Sequence, residues 1–167
     1  MESASRPGRP ARKPTLEALE GRSLLAAGQV SLATLLTPIP EGTPLAEHIH
    51  PRLTLVVGGQ RQTVPAGIGI LAAGNLPLHT HDSSGTIHIE ATSQQPFRLG
   101  DFLTIWGQTV NSHNVLGHEA DATHRVTMTV NGRPSRAFGS LLLQDGQNIV
   151  IRYDATPPRG VRHLRGR

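Results

Sequence analysis

The sequence has no cysteine, which excludes disulfides, thiolate metal sites, iron–sulfur clusters and cysteine nucleophiles together. Aromatic residues make up only 3%, so any core rests on Leu, Ile, Val and Ala, and its stability is expected to be modest. Long apolar runs are missing too. The stretch from Ser23 to Leu36 is the nearest approach, and Gly28, Gln29 and Ser31 interrupt it, so no transmembrane segment is expected. There is no P-loop, no dinucleotide fingerprint and no Ser-His-Asp arrangement.

The net charge of +4 invites a nucleic-acid reading until the charges are placed along the chain. From Glu47 to Asp154 seven arginines face eight acidic residues, a balance of −1. The basic excess lies at the ends, in Arg6, Arg9, Arg12, Lys13 and Arg22, and in Arg159, Arg162, Arg165 and Arg167. A nearly neutral central region has no electrostatic footprint for a phosphate backbone, so no specific nucleic-acid partner is expected.

A chain of 167 residues holds one domain and its tails. Residues 1–45 read as a disordered segment, a leader and a Pro/Gly-rich linker, and residues 155–167 read as a disordered basic tail. Within the first stretch, Leu16 to Leu25 has the spacing of a short amphipathic helix, with Thr15 placed as N-cap. The same residues, LEALEGRSLLAAG, resemble the LEPR-XLL segment near the N-terminus of planctomycete surface and secreted proteins. Glu17, Leu19, Glu20, Arg22, Leu24 and Leu25 carry the match. The resemblance implies an extracellular, periplasmic or cell-surface location and no activity.

Residues 46–154 read as a single β-rich domain. Leu53, Leu55 and Val57 alternate with Thr54 and Val56, and Gly58-Gly59 turns the chain into Arg61–Val64. In a second alternating run Ile87 and Ile89 point one way and His88 and Glu90 the other. Leu99, Phe102, Leu103 and Trp106 recur at helical spacing. Val126, Met128 and Val130 then lead into the Asn131-Gly132 turn, and Ile149, Ile151 and Tyr153 follow Asp145-Gly146. Met128 is expected in the core.

The fold class expected is therefore α+β, mainly β. The stretches RLTLVVGGQRQTVP, FRLGDFLTIWG, VTMTVNGRP and LLLQDGQNIVIRY resemble the opening hairpin, helix and closing half of the β-grasp sulfur carriers. That resemblance implies a mixed sheet with one short helix, and residues 66–85 stand out from it as a His-rich insertion. The chain ends RGVRHLRGR and lacks the carriers' Gly-Gly, so conjugation is not expected. The His-rich half is similar to a group of uncharacterised bacterial and archaeal proteins with an "LHTHD…IHIE" stretch, and that similarity implies no particular activity.

Chemistry concentrates in three blocks: His48-Ile49-His50, His79-Thr80-His81-Asp82 and His88-Ile89-Glu90. On a strand, a residue and its second neighbour share a face, so each H-x-H or H-x-E offers two donors together. Were the strands of His50 and His88 neighbours, both would open onto one face, with the 79–82 loop near its edge. Imidazole with an occasional carboxylate suits a divalent transition metal, and Zn²⁺ or Cu²⁺ is the ion expected. The ligand candidates are His48, His50, His79, His81 and His88. Asp82 is either a ligand or the anchor of an Asx-turn, and Glu90 is a ligand, a base beside bound water, or a solvated strand residue. His113, His118 and His124 read as solvated loop residues, and His163 falls in the tail.

Three functions fit this pattern. One is an exported, non-enzymatic domain that binds, buffers or delivers the ion. Another is a metalloenzyme with a three-histidine site of cupin-like chemistry. The gap from His81 to Glu90 is wider than the cupin motif has, and the second cupin motif is missing. The third is a β-grasp interaction module whose histidines are incidental or pH-responsive.

Overall fold

The computed structural model describes residues 28–156. The expected disordered segment 1–14, the Leu16–Leu25 helix with the leader motif, and tail residues 157–167 lie outside the described residues. Packed structure begins ahead of the expected domain start at 46. The single helical turn α1 (Leu32–Leu35) is capped by Ser31, whose hydroxyl accepts from the Thr34 N–H, and it delivers Leu35 to the core at 4% exposure. Leu35 thus belongs to the packed core although it precedes residues 38–44, the stretch expected as a linker.

After α1 the chain forms β1 (Glu47–Ile49), β2 (Arg52–Val57) and β3 (Gln60–Gln62). The region expected as an insertion is folded. It holds the small hairpin of β4 (Ile70–Leu71) and β5 (Gly74–Asn75), then β6 (Leu78–His79), ahead of β7 (His88–Ala91). Helix α2 (Leu99–Trp106) follows, as its spacing predicts. A minor hairpin of β8 (Asn114–Val115) and β9 (His118–Glu119) precedes the long strands β10 (His124–Val130), β11 (Arg133–Ser135) and β12 (Asn148–Ala155).

Two sheets result. The larger has the order β11-β10-β12-β2-β3, in which β12 and β2 run parallel at the centre and the flanking pairs are antiparallel. Both of its tight turns need left-handed backbone at two consecutive positions. Gly58-Gly59 (φ 55° and 79°) and Asn131-Gly132 (φ 51° and 76°) supply it, which matches the turn's twist to that of the strands. The smaller sheet has the order β1-β7-β6 and is antiparallel throughout. It is stitched to the start of β2, where the Leu53 N–H donates to the Gly85 carbonyl and the Ile87 N–H to the Pro51 carbonyl.

The core lies between these sheets and α2. Leu53, Leu55, Ile149, Ile151 and Met128 from the large sheet join Ile87, Ile89 and Leu78 from the small one, against Leu99, Phe102 and Leu103 of the helix. The alternation in β2 is less strict than its sequence suggests, for Val56 is buried as well as Leu53 and Leu55, and Val57 is half-buried. Helix α2 begins where the Asp101 carboxylate accepts the Arg98 N–H at 2.7 Å, and it ends at Gly107 in the left-handed region.

Candidate metal centre

The small sheet brings the three histidine blocks together. In the β1–β7 pairing His48 lies opposite Glu90, and in the β6–β7 pairing His79 lies opposite His88. Because Ile87 and Ile89 are fully buried, strand parity turns His88 and Glu90 to the other side, where both are half-buried. β1 and β7 are neighbours, and the His50 and His88 ring centroids lie 4.7 Å apart. His88 is the hub. Its ring centroid also lies 4.5 Å from that of His81, 5.4 Å from His79 and 6.5 Å from His48.

One expectation about position is corrected. The 79–82 segment is not an edge loop throughout, because His79 is the second residue of β6 and is fully buried. What buries it is the folded insertion. Thr80, also fully buried, donates its hydroxyl to the Pro65 carbonyl at 2.7 Å and accepts the Ile68 N–H at 3.1 Å. Gly69 then passes so close that a Cβ there would stand 2.6 Å from the Leu78 carbonyl oxygen and 3.1 Å from His79 Cβ. Only glycine fits that crossing.

The surroundings of His79 fix its proton. Nδ1 lies 2.9 Å from the Leu76 carbonyl oxygen, and since a carbonyl only accepts, Nδ1 carries the hydrogen. In the neutral ring Nε2 is then an acceptor lone pair, to which His81 Nε2 donates. It lies 3.2 Å from His81 Nε2 and 4.0 Å from Glu90 Oε1. Burial lowers the pKa of His79, outweighing the opposing pull of the Leu76 carbonyl and of Glu90. His88 is pushed down to about 4, first by burial and then by repulsion from His81, His50 and His79. Both rings are therefore neutral at pH 7 and available as donors.

Two sets of side chains could each hold a metal ion, with ligand atoms all within 4.8 Å of one another. One is His79, His81, His88 and Glu90, and the other is His48, His50 and His88. Nε2 of His48 lies 3.3 Å from Glu90 Oε1. A tetrahedral ion with bonds of roughly 2.0–2.1 Å separates its ligand atoms by about 3.3–3.4 Å. The His79–His81 and His48–Glu90 distances already approach that edge.

The candidates divide accordingly. His48, His50, His79, His81, His88 and Glu90 converge. Asp82 is absent from both sets; its carboxylate accepts the Ser84 N–H at 2.8 Å in an Asx-turn, and hydrogen bonds from Ser84 hold its carboxyl below the usual range. His113 stays in a loop and His118 is exposed, as expected, although His118 lies in β9. His124 is not a loop residue, since it opens β10 and stacks on Tyr153 at 5.0 Å between ring centroids. His163 lies outside the described residues.

Four contributors carried no donor pattern to reveal them. The Leu76 carbonyl, Thr80 and Gly69 act through contacts that only the folded insertion creates. Asp145 read simply as a turn residue, yet its carboxylate accepts the His50 N–H at 2.8 Å and so ties the turn before β12 to the histidine face. The Pro-Ala-Gly-Ile-Gly run at 65–69 was the one available signal of a close backbone approach.

Against models of protein families, curated proteins and solved structures, the chain finds no match. Among the described residues no helix is long and apolar enough to cross a membrane.

Proposed function

We propose that this protein is an exported β-grasp domain that binds one divalent transition ion, Zn²⁺ or Cu²⁺, in order to buffer or deliver it. One observation carries the metal reading. His79 is a fully buried imidazole whose Nδ1–H is spent on a backbone carbonyl and whose Nε2 lone pair faces a second imidazole and a carboxylate. That is the outer-shell arrangement which orients a ligating histidine and raises its basicity. A merely structural buried histidine needs one partner on its second nitrogen, which His81 supplies, and no carboxylate and third imidazole drawn up beside it.

Supporting the β-grasp reading is the strand order, with a central parallel pair formed by the first and last long strands and a hairpin on either side. Export rests on the leader-like residues Glu17 to Leu25. Zn²⁺ and Cu²⁺ are favoured by the donor set, imidazole nitrogen with one carboxylate oxygen and no thiolate.

A second reading is favoured by one feature. A cavity of about 410 Å³, lined by Ile39, Leu45, Leu71 and Asn75 among others, reaches Glu90. A metalloenzyme would place its substrate there, beside an ion that retains a water. Loading with Co²⁺ or Cu²⁺ and counting exchangeable water by relaxation separates the two readings.

The test of binding itself is titration calorimetry of the tag-free full chain with Zn²⁺ and Cu²⁺. We expect one ion per chain, and much weaker binding after His79→Ala and His81→Ala are combined. His113→Ala with His118→Ala should bind like the parent. If the first double variant binds as tightly as the parent, the centre does not hold the ion.

A further inference from the structure

The two donor sets share His88, and this sets how many ions they hold and how an ion moves. A neutral imidazole offers one lone pair. Bridging two cations would require it to surrender its second ring proton as well. The sets are therefore alternatives for one ion. They also differ in access. His48 and His50 have side chains 51% and 40% exposed, whereas His79 has none. His81 is exposed as a residue, yet its Nε2 is turned inward onto that of His79.

Resting on the metal reading above, we propose that His48, His50 and His88 form the exchange station through which an ion enters and leaves the His79–His81–His88–Glu90 set. His88 stays bound throughout as the common ligand. Glu90 lies 3.3 Å from His48 Nε2 and 4.0 Å from His79 Nε2, so it meets the ion at the station and accompanies it inward. In each step one imidazole lone pair enters as another leaves. Such ligand exchange moves lone pairs alone, so no proton or electron is transferred and the ion is never bare. Release runs through the same steps in reverse, with an incoming chelating ligand, such as a second imidazole- or carboxylate-bearing molecule, attacking at the exposed pair.

The test uses the full chain and Zn²⁺, with a chromophoric chelator reporting uptake and release by stopped flow. His48→Ala combined with His50→Ala should lower the equilibrium affinity far less than His79→Ala combined with His81→Ala does. It should slow both association and chelator-driven release by at least about tenfold, a modest share of the effective-concentration gain that a linked donor set supplies. The retained affinity shows that the variant is folded. Native mass spectrometry should find one ion per chain at saturation. Unchanged rates in a tightly binding variant, or two ions per parent chain, would overturn the exchange station while leaving the binding reading intact. A parent chain that binds no Zn²⁺ overturns both.

Discussion

A single hydrogen, the one on His79 Nδ1, decides what the most buried imidazole can do. The Leu76 carbonyl claims it, and the lone pair left on Nε2 points at the other donors. The same burial has a consequence for stability in the ion-free protein. His79 and His88 have folded-state pKa values below 6.5, that of His88 at about 4, whereas in the unfolded chain both take up protons near 6.5. Between those limits the unfolded state binds more protons, so the contribution is fully present above about pH 6.5 and is lost as the pH falls towards 4. With a chelator present, the urea midpoint is expected to be lower at pH 5 than at pH 7.5, and His88→Ala should flatten the difference. A midpoint equal at both pH values would contradict the burial of these rings. At this scale much was legible. The parity of Ile87, His88, Ile89 and Glu90 in the sequence is the parity in β7, because a two-residue period has no other outcome once one face is buried. The burial of His79 was not legible, because it depends on Thr80 reaching Pro65 and Ile68 across an insertion with no period of its own.

Among the elements, those with turn chemistry or a repeated apolar spacing could be read in advance, and those built by tertiary contact could not. The hairpins at Gly58-Gly59 and Asn131-Gly132 and the helix α2 belong to the first kind. Strand β6 and the turn α1 belong to the second, each too short to carry a pattern. His124 was misread because its loop-like neighbours Asp121, Ala122 and Thr123 conceal the start of β10. There the Asp121 carboxylate accepts the backbone N–H of His124. The helix offers a clean test of local energetics. Removing the carboxylate that accepts the Arg98 N–H, by Asp101→Ala, is expected to cost about 1 kcal/mol, as losses of helix-start capping do. Denaturant unfolding measures it. A change within experimental error would show that water satisfies that N–H equally well.

For the molecule as a whole, the candidate centre spans three short strands, β1, β7 and β6, the first of them distant in the chain from the other two. An ion bound only by the folded state adds RT ln(1 + [L]/Kd), about 2.7 kcal/mol at a hundredfold excess over Kd. For a domain of this size we expect the melting temperature to rise by on the order of 10 °C on saturation with Zn²⁺ and to return on addition of a chelator. Scanning calorimetry with and without the ion checks this, and a melting temperature insensitive to Zn²⁺ would remove the centre from the stability of the fold.

The central parallel pair gives the centre a place in time. Arg52 pairs with Asn148 and Tyr153 with Val57, so the middle of the large sheet closes only when the last strand meets the first long one. Such distant partners make folding slow, because loop closure has to precede any reward from the contact. The His50 segment is held partly by Asp145, which lies just ahead of that last strand. Until that strand arrives, the His50 N–H lacks its Asp145 partner, whereas the β1-β7-β6 pairing that aligns the other imidazoles involves no residue of β12. The exposed His48–His50 side of the centre is therefore the part whose final placement waits for the C-terminal strand, after the β6–β7 side has its own pairing.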